Sequence, residues 1–434
     1  MGKVVLGASA CAALLGVALI SSCSYSNEAD PRAFADGGAA QDGALGGDAP
    51  SGARDADGIV GPQLECPAQR VVHLVGGNGG FAWFSQVWPV PELVTAPMAA
   101  FAYDDPKLAV SAPSSTGHPL FARRVASRAV WEGSGKRPMP TAFVAGTNLT
   151  HTATPNTTRI GTVDVVAAGA ALQKKLGAPI PVLRLGRAFI YGPAPLAPAA
   201  VDATDVDTAV TAIVKQLDLP ASVESSLRPD PAVVAQWAGA GARASIVALA
   251  RGLSFAANAF RLNLVSTILL PAMEDDPHGA FAGSGPGADT NAIAQVLDSF
   301  YRELQTRNEA TCGHGGKALS LADNVVLLAS GDTYKNPFDR GGWPDGTPDN
   351  SNVLYVRSNG YLLSGWFGRI ASTGVVHFDT VTGAASTGAT QAAATQAALQ
   401  GVLYAIARGD GGAVSEALPL VSVPYQGVID PSPP

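Results

Sequence analysis

Short apolar runs alternate with longer stretches of helical spacing along most of this chain. Residues 70–75 (RVVHLV) are nearly all apolar and end at Gly76-Gly77, which reads as a buried strand stopped by a tight turn. Residues 141–146, 181–185, 264–270, 324–329 (NVVLLA) and 352–356 repeat the pattern. Between them, residues 164–176 have helical spacing behind an Asp suited to an N-cap. Residues 205–217, 289–307 and 395–408 predict further helices. In 289–307, Ile293, Val296, Leu297, Phe300 and Leu304 share one face. The Ala-rich stretch 231–259 predicts a helix broken at Gly239 and Gly241. Strands apolar on both faces, alternating with helices, predict an α/β fold: a central, mostly parallel mixed sheet flanked by helices.

The first 62 residues follow another logic. Met1-Gly2-Lys3 carries one positive charge, and residues 4–20 are apolar, small and uncharged. That run is short for a spanning helix and stops abruptly at polar residues. Leu19-Ile20-Ser21-Ser22-Cys23 matches the lipobox of bacterial lipoprotein signals, so residues 1–23 read as a signal peptide and Cys23 as the lipidated residue. An ordinary signal peptide or an uncleaved anchor are the alternatives; position, spacing and residue types favour the lipobox. By resemblance to lipoprotein sorting rules, Ser24 after the cysteine points to the outer membrane. Residues 24–62 are rich in Gly, Ala, Asp, Ser and Pro, and acids outnumber Arg32 and Arg54. Such a segment buries too little apolar surface to offset its ordering entropy, which predicts a flexible acidic tether. Residues 63–434 remain as a single domain.

Composition narrows the partners. The formal net charge is −7 and no run of Lys or Arg occurs, so the membrane, through lipid on Cys23, is the expected partner and nucleic acid is not. The composition names no protein or ligand partner. The most apolar later stretch, 262–272, is interrupted by Asn263 and closed by Pro271, and reads as a strand. Of four cysteines, Cys11 leaves with the signal and Cys23 carries lipid. Cys66 and Cys312 remain, and in an oxidising compartment they predict a disulfide; two buried thiols are the other reading.

In parallel sheets, functional groups sit in the loops beyond the carboxyl ends of the strands. The first such loop is Gly76-Gly77-Asn78-Gly79-Gly80, either a tight turn or a backbone-amide anion site. It lacks the GxGxxG spacing of a dinucleotide site. The second is Pro271-Ala272-Met273-Glu274-Asp275-Asp276-Pro277-His278, where Asp276 and His278 are hard-oxygen and imidazole groups suited to one divalent cation; a solvated acidic loop is the plain alternative. The third runs from Ser330-Gly331-Asp332-Thr333-Tyr334 through Asp339, Arg340, Asp345, Asp349 and Asn350. It is long, and long loops in compact domains tend to be functional. His151 lies in a polar loop within reach of such a site, whereas His73 in the first strand reads as a core residue. There is no GxSxG, HExxH or CxxC motif.

Taken in order, VVHLVGGNGG, His151, VSTILLPAMEDDPH, DNVVLLASGDTYKNP and NSNVLYVRSNGYLLSGWFG resemble a bacterial family of exported proteins known only as domain of unknown function number fifteen hundred and one. That family is placed with the alkaline-phosphatase and sulfatase superfamily. The resemblance covers roughly residues 68–430 and implies an alkaline-phosphatase-like fold with a metal-dependent site. Several of its motifs are altered here. Where the family has Gly-Gly-x-Asp-Gly, this chain has Gly79 in place of the acid. Asp276 and His278 match the family's Trp-Asp-Thr-His. The family's Ser-Glu-Phe-Gly-Arg-Thr-Pro reads Ser330 to Pro337, with Asp332 as the shifted acid and no arginine. Its later Asp-His pair reads Asp349-Asn350. What survives (Asp276, His278, Asp332, Asp349 and His151) would hold one divalent metal ion at most, and poorly matches a two-metal site. The expectation is an exported lipoprotein with a degenerate domain that binds or has a structural role; the alternative is a one-metal hydrolase of phosphate or sulfate esters. A Cys66–Cys312 disulfide predicts that neither thiol takes up iodoacetamide until reductant is added, read by peptide mass spectrometry.

Overall fold

Every residue of strand β1 (Arg70–Gly76) is buried, and alternate side chains serve opposite faces. Val72 and Leu74 join one hydrophobic core, Val71 and Val75 the other. A strand can be this apolar only where both faces of its sheet are covered. The computed structural model describes residues 69–77, 79–88, 140–147, 151, 156–186, 191–276, 278, 286–306, 308–309, 319–335, 344–347, 349–371 and 374–431. Cys23, Cys66, Cys312 and Asn78 lie outside them, and so do the signal and tether. The described residues all fall within the compact unit Pro62–Pro434.

The eight-stranded sheet contains β1, β2 (Pro140–Thr147), β3 (Ile180–Leu185), β4 (Val201–Ala203), β5 (Val265–Pro271), β6 (Val325–Gly331), β7 (Ser351–Arg357) and β8 (Gly365–Phe367). Their order across the sheet is β8-β2-β7-β6-β1-β5-β3-β4. Only β7 runs against the rest, being antiparallel to both β6 and β2. The fold is therefore α/β with a mostly parallel mixed central sheet, as the alternation of strand and helix patterns predicts. β1 sits between β6 and β5, with Leu74 level with Ala329 and Leu270, and Val75 level with Ser330 and Pro271. That shared register releases the three downstream loops side by side.

One face of the sheet is covered by α2 (Val206–Leu217), α4 (Pro231–Ala238), α5 (Ala244–Arg261) and α6 (Pro286–Gln305), with Val210, Trp237, Phe255 and Phe300 in its core. A short helix, α3 (Ala221–Leu227), adds Leu227. On the other face lie α1 (Val165–Leu172), α7 (Gln391–Ile406) and α8 (Gly411–Ala417). Among the described residues, no helix is long and apolar enough to cross a membrane. The predicted helix at 164–176 ends early: α1 stops at Leu172, and a 3-10 turn, Gln173–Leu176, closes at Gly177 with φ 69°. The predicted break at Gly239 and Gly241 separates α4 from α5. The three-residue β8 and Arg369–Ala371, which forms a hairpin with Gly374–Phe378, give too short a pattern to be read in advance, whereas the stretch around His377 and Phe378 reads as strand-like in the sequence.

The amino-terminal side of the sheet is held by buried polar groups that satisfy one another. Arg357 lies 3.7 Å over the Tyr301 ring and donates to Asn359, whose amide donates to Gln69 and to the Val325 carbonyl at 2.9 Å. On the opposite, carboxyl side of the sheet, Asp164 caps α1, accepting from Val166 N at 2.7 Å and from Gly192 N at 3.1 Å. Burial pushes its carboxyl up to about 6, against the backbone N–H groups of Gly192, Val166 and Ala167 and the Arg159 charge, which pull it down. A raised folded-state value means the native state binds the proton more tightly, so stability falls as pH rises from 3.8 to about 6. Asp164→Asn should remove that slope: urea unfolding at pH 4 and pH 7 should show the wild type losing more stability between the two than the variant, by on the order of 2–3 kcal/mol.

Candidate functional site

The loops after β1, β5 and β6 meet at the carboxyl end of the sheet. The glycines of the first loop are there for contact. At Gly79 (φ 75°) a Cβ would lie 2.7 Å from Lys335 Cε and 3.1 Å from His151 Cε1, and at Gly80 it would lie 1.3 Å from the Met273 carbonyl oxygen. A side chain at Gly80 would drive the loops apart, and one at Gly79 would be strained by its positive φ and would displace the end of the Lys335 side chain. The Gly77 carbonyl accepts from Gly80 N at 2.9 Å, and the Gly76 carbonyl accepts from Asp332 N at 3.2 Å.

Asp332, buried just past β6, ties the loops together. Its Oδ1 accepts from Gly79 N at 3.1 Å and Thr333 N at 2.8 Å, and its Oδ2 lies 2.9 Å from His151 Nδ1. This leaves His151 Nε2 directed at two further carboxylates, 3.4 Å from Asp345 Oδ2 and 3.7 Å from Asp276 Oδ2. His278 closes the cluster from the second loop, its Nε2 3.4 Å from Asp276 Oδ2 and 4.0 Å from Asp345 Oδ1. The His151 and His278 side chains are 34% and 46% exposed, so the cluster opens to solvent on the imidazole side.

At its closed end stands Lys335, with 0% of its side chain exposed. Its Nζ is 2.9 Å from Asp276 Oδ1 and 3.0 Å from His278 Nε2, and it donates to Asp345 Oδ1. A backbone bridge between Lys335 and Asp345, together with Gly346 N donating to the Tyr334 carbonyl at 2.7 Å, folds the third loop back so that both residues reach the cluster. Burial works to raise the Asp276 carboxyl, but hydrogen bonding to Lys335, the Lys335 charge and His278 outweigh it and hold the carboxyl below its ordinary value.

The acidic run of the second loop divides. Met273 adopts φ 54°, and the two following aspartates go separate ways. Asp275 turns to Arg243, 2.9 Å away, and accepts from Ser245, while Arg243 sits 5.5 Å over the Trp83 ring. Asp276 turns into the cluster.

Of the residues picked out from sequence, Asp276, His278, Asp332 and His151 are brought together, with the backbone of Gly76 and Gly77 beneath them; Asn78 lies outside the described residues. Asp349 is placed elsewhere. It is exposed, and its Oδ2 accepts from Val375 N at 2.6 Å in the hairpin beyond β8. The neighbouring Asn350 is exposed, with φ 54°, and its N–H bonds the Thr347 carbonyl. His73 is a core residue, bonded to Ser330 Oγ at 2.8 Å and pushed down to about 4 by burial. Lys335 was not singled out in the sequence, and Asp345 was counted only as part of its loop. The one available signal was a lysine among the acids of a loop just after the most apolar strand. Among the described residues, no group of three or more His, Cys, Asp or Glu is set to hold a metal ion.

No family model matches the chain, and no curated protein matches it. It is similar to two solved structures, of Ps i-CgsB alone and of Ps i-CgsB in complex with k-i-k-neocarrahexaose. Each is 11% identical, with a TM-score of 0.30, over 79% of this chain and 72% of theirs. A likeness that loose carries nothing about the site, whose chemistry has to be argued from its own geometry.

The two aspartates should respond differently to truncation. Asp332→Ala strands the Gly79 and Thr333 N–H groups, and should cost about 2–3 kcal/mol in denaturant unfolding. Asp349→Ala loses one exposed hydrogen bond, and should cost less than about 1 kcal/mol.

Proposed function

We propose that this is a lipid-anchored protein of the cell envelope, held at the outer membrane through Cys23 by the tether 24–62. Its domain has an alkaline-phosphatase- and sulfatase-like fold and binds a ligand, or has a structural role, without metal-dependent hydrolysis. The observation that carries this reading is the Lys335 ammonium, fully buried between Asp276 and Asp345 and against His278. Metal-assisted hydrolysis needs a cation with open coordination positions, which polarises a phosphoryl or sulfuryl oxygen and activates water. An alkylammonium carries a single charge and offers no such position. The loss of an acid at Gly79 and of a histidine at Asn350, relative to the family resembled, points the same way, as does the placement of Asp349 away from the cluster.

A one-metal hydrolase of phosphate or sulfate esters is the second reading. It is favoured by the approach of the His151 and His278 imidazoles to within 3.4–4.0 Å of the Asp276 and Asp345 carboxylates on the open side. Elemental analysis of the full-length chain, purified in detergent with Zn, Mn, Ca and Mg supplied, separates the two. The expected result is less than stoichiometric metal and no turnover of generic phosphate or sulfate monoesters. Stoichiometric metal with turnover, both lost on combining Asp276→Ala with His278→Ala, establishes the hydrolase instead.

A further inference from the structure

We propose that a cleft in the helical layer, at the amino-terminal end of the sheet and away from the cluster, binds one neutral pyranose ring. The cleft has a volume of about 210 Å³. It is walled by α4, by the carboxyl ends of α5 and α6, and by the turn between α3 and α4. Its floor is Trp237 and Ser254, 7% and 5% exposed, and its rim is Arg228, Asp230, Asn258 and Glu303.

The telling group is the Ser254 hydroxyl. Three hydroxyls on other helices close onto their own backbone. Thr211 Oγ1 donates to the Asp207 carbonyl at 2.9 Å, Ser226 Oγ to the Ser222 carbonyl at 2.9 Å and Ser415 Oγ to the Gly411 carbonyl at 3.0 Å. Ser254, almost fully buried, makes no side-chain hydrogen bond among the described residues. A buried polar group without a partner is costly, and a polar ligand in the cleft removes that cost. Trp237 repeats the pattern. The indole N–H groups of Trp83 and Trp88 donate to the Asp275 and Thr141 carbonyls at 3.2 Å and 3.1 Å, whereas that of Trp237 donates to no described residue.

The rim decides the class of ligand. Arg228 is already held by Glu224 at 2.6 Å and by Asp207 at 3.3 Å, so its charge is engaged. Asp230 and Glu303 add two carboxylates, which turn an anion away. Asp230 Oδ1 accepts from Ala232 N at 2.8 Å as the cap of α4, and its Oδ2 accepts from no described residue. An ammonium would answer the carboxylates but bring no acceptor to the Trp237 N–H. Adjacent ring hydroxyls do both, because each one donates and accepts. The less polar face of such a ring packs on the indole. The volume lies below the roughly 300 Å³ at which clefts take drug-sized ligands, which limits the occupant to about one ring.

The test uses the full-length chain in a sugar-free detergent. Glucose, galactose and N-acetylglucosamine are titrated and followed by saturation-transfer NMR, with tetramethylammonium chloride and sodium acetate as charged probes. The expected result is at least one sugar bound with a dissociation constant of about 1 mM or below, and neither charged probe bound. Ser254→Ala should weaken that binding at least about tenfold without lowering the melting temperature, since the hydroxyl has no bond in the free chain to lose. Asp230→Asn, which keeps a good cap on α4, should weaken it by about the same factor. An oligomer of the same sugar separates two sources: tighter binding assigns the end of a glycan, and equal binding a free monosaccharide. Binding of none of the three sugars overturns the proposal. So does sugar binding that either variant leaves unchanged, or binding of a charged probe in place of sugar. The cleft and the cluster share no residue, so none of these outcomes bears on whether the cluster holds metal.

Discussion

The parallel register of β1 between β5 and β6 is the constraint on which the rest of this structure depends. Gly76 lies level with Gly331, and Val75 with Pro271, so three chain segments far apart in sequence leave the sheet at the same height. A slip of one residue would turn Val72 and Leu74 toward the wrong core as well as separating the loops. Burial of both faces therefore fixes the site's position before any polar contact forms. The loops can then be short on secondary structure, because their starting points are already set by the most buried part of the fold.

On that foundation Asp332 acts as a strut. Two backbone N–H groups and an imidazole converge on one carboxylate that water barely reaches. In a medium of low dielectric each such bond is stronger than it would be at the surface, and leaving any one unmade is costly. The same carboxylate fixes how His151 presents Nε2 to Asp276 and Asp345. Stability and site geometry thus reside in one side chain, which explains why an aspartate is held where the sheet is most apolar.

Much of this was legible in the sequence, and the exceptions have physical reasons. The long strands showed because two-sided burial leaves continuous apolar runs, and α1, α2 and α6 showed through capping and periodicity. The three residues of β8 are too few to display any period. The cluster was legible in part: Asp276 and His278 follow a strand end directly, so their location is set by the sheet. Asp349 misled because it shares a loop with Asp345, and proximity in a loop says nothing about where a side chain turns; a backbone bridge at Asp345 sends one inward while Asp349 caps a hairpin. Lys335 gave almost no signal. A loop lysine reads as solvated, and only the folded chain shows it without solvent.

The lysine also explains why the cluster can exist in its present form. Carboxylates drawn together by the backbone would repel one another and draw in water or an ion. A cation delivered on a side chain comes with the fold and does not depend on the concentration of any ion in solution. It loses rotamer freedom only once, when the loop closes against Asp345. In exchange it surrenders the open coordination positions that make a metal useful to hydrolysis. The tethered ammonium stabilises the arrangement of Asp276, Asp345 and His278. The imidazoles of His151 and His278, with their nitrogens turned to the carboxylates, form its more exposed side.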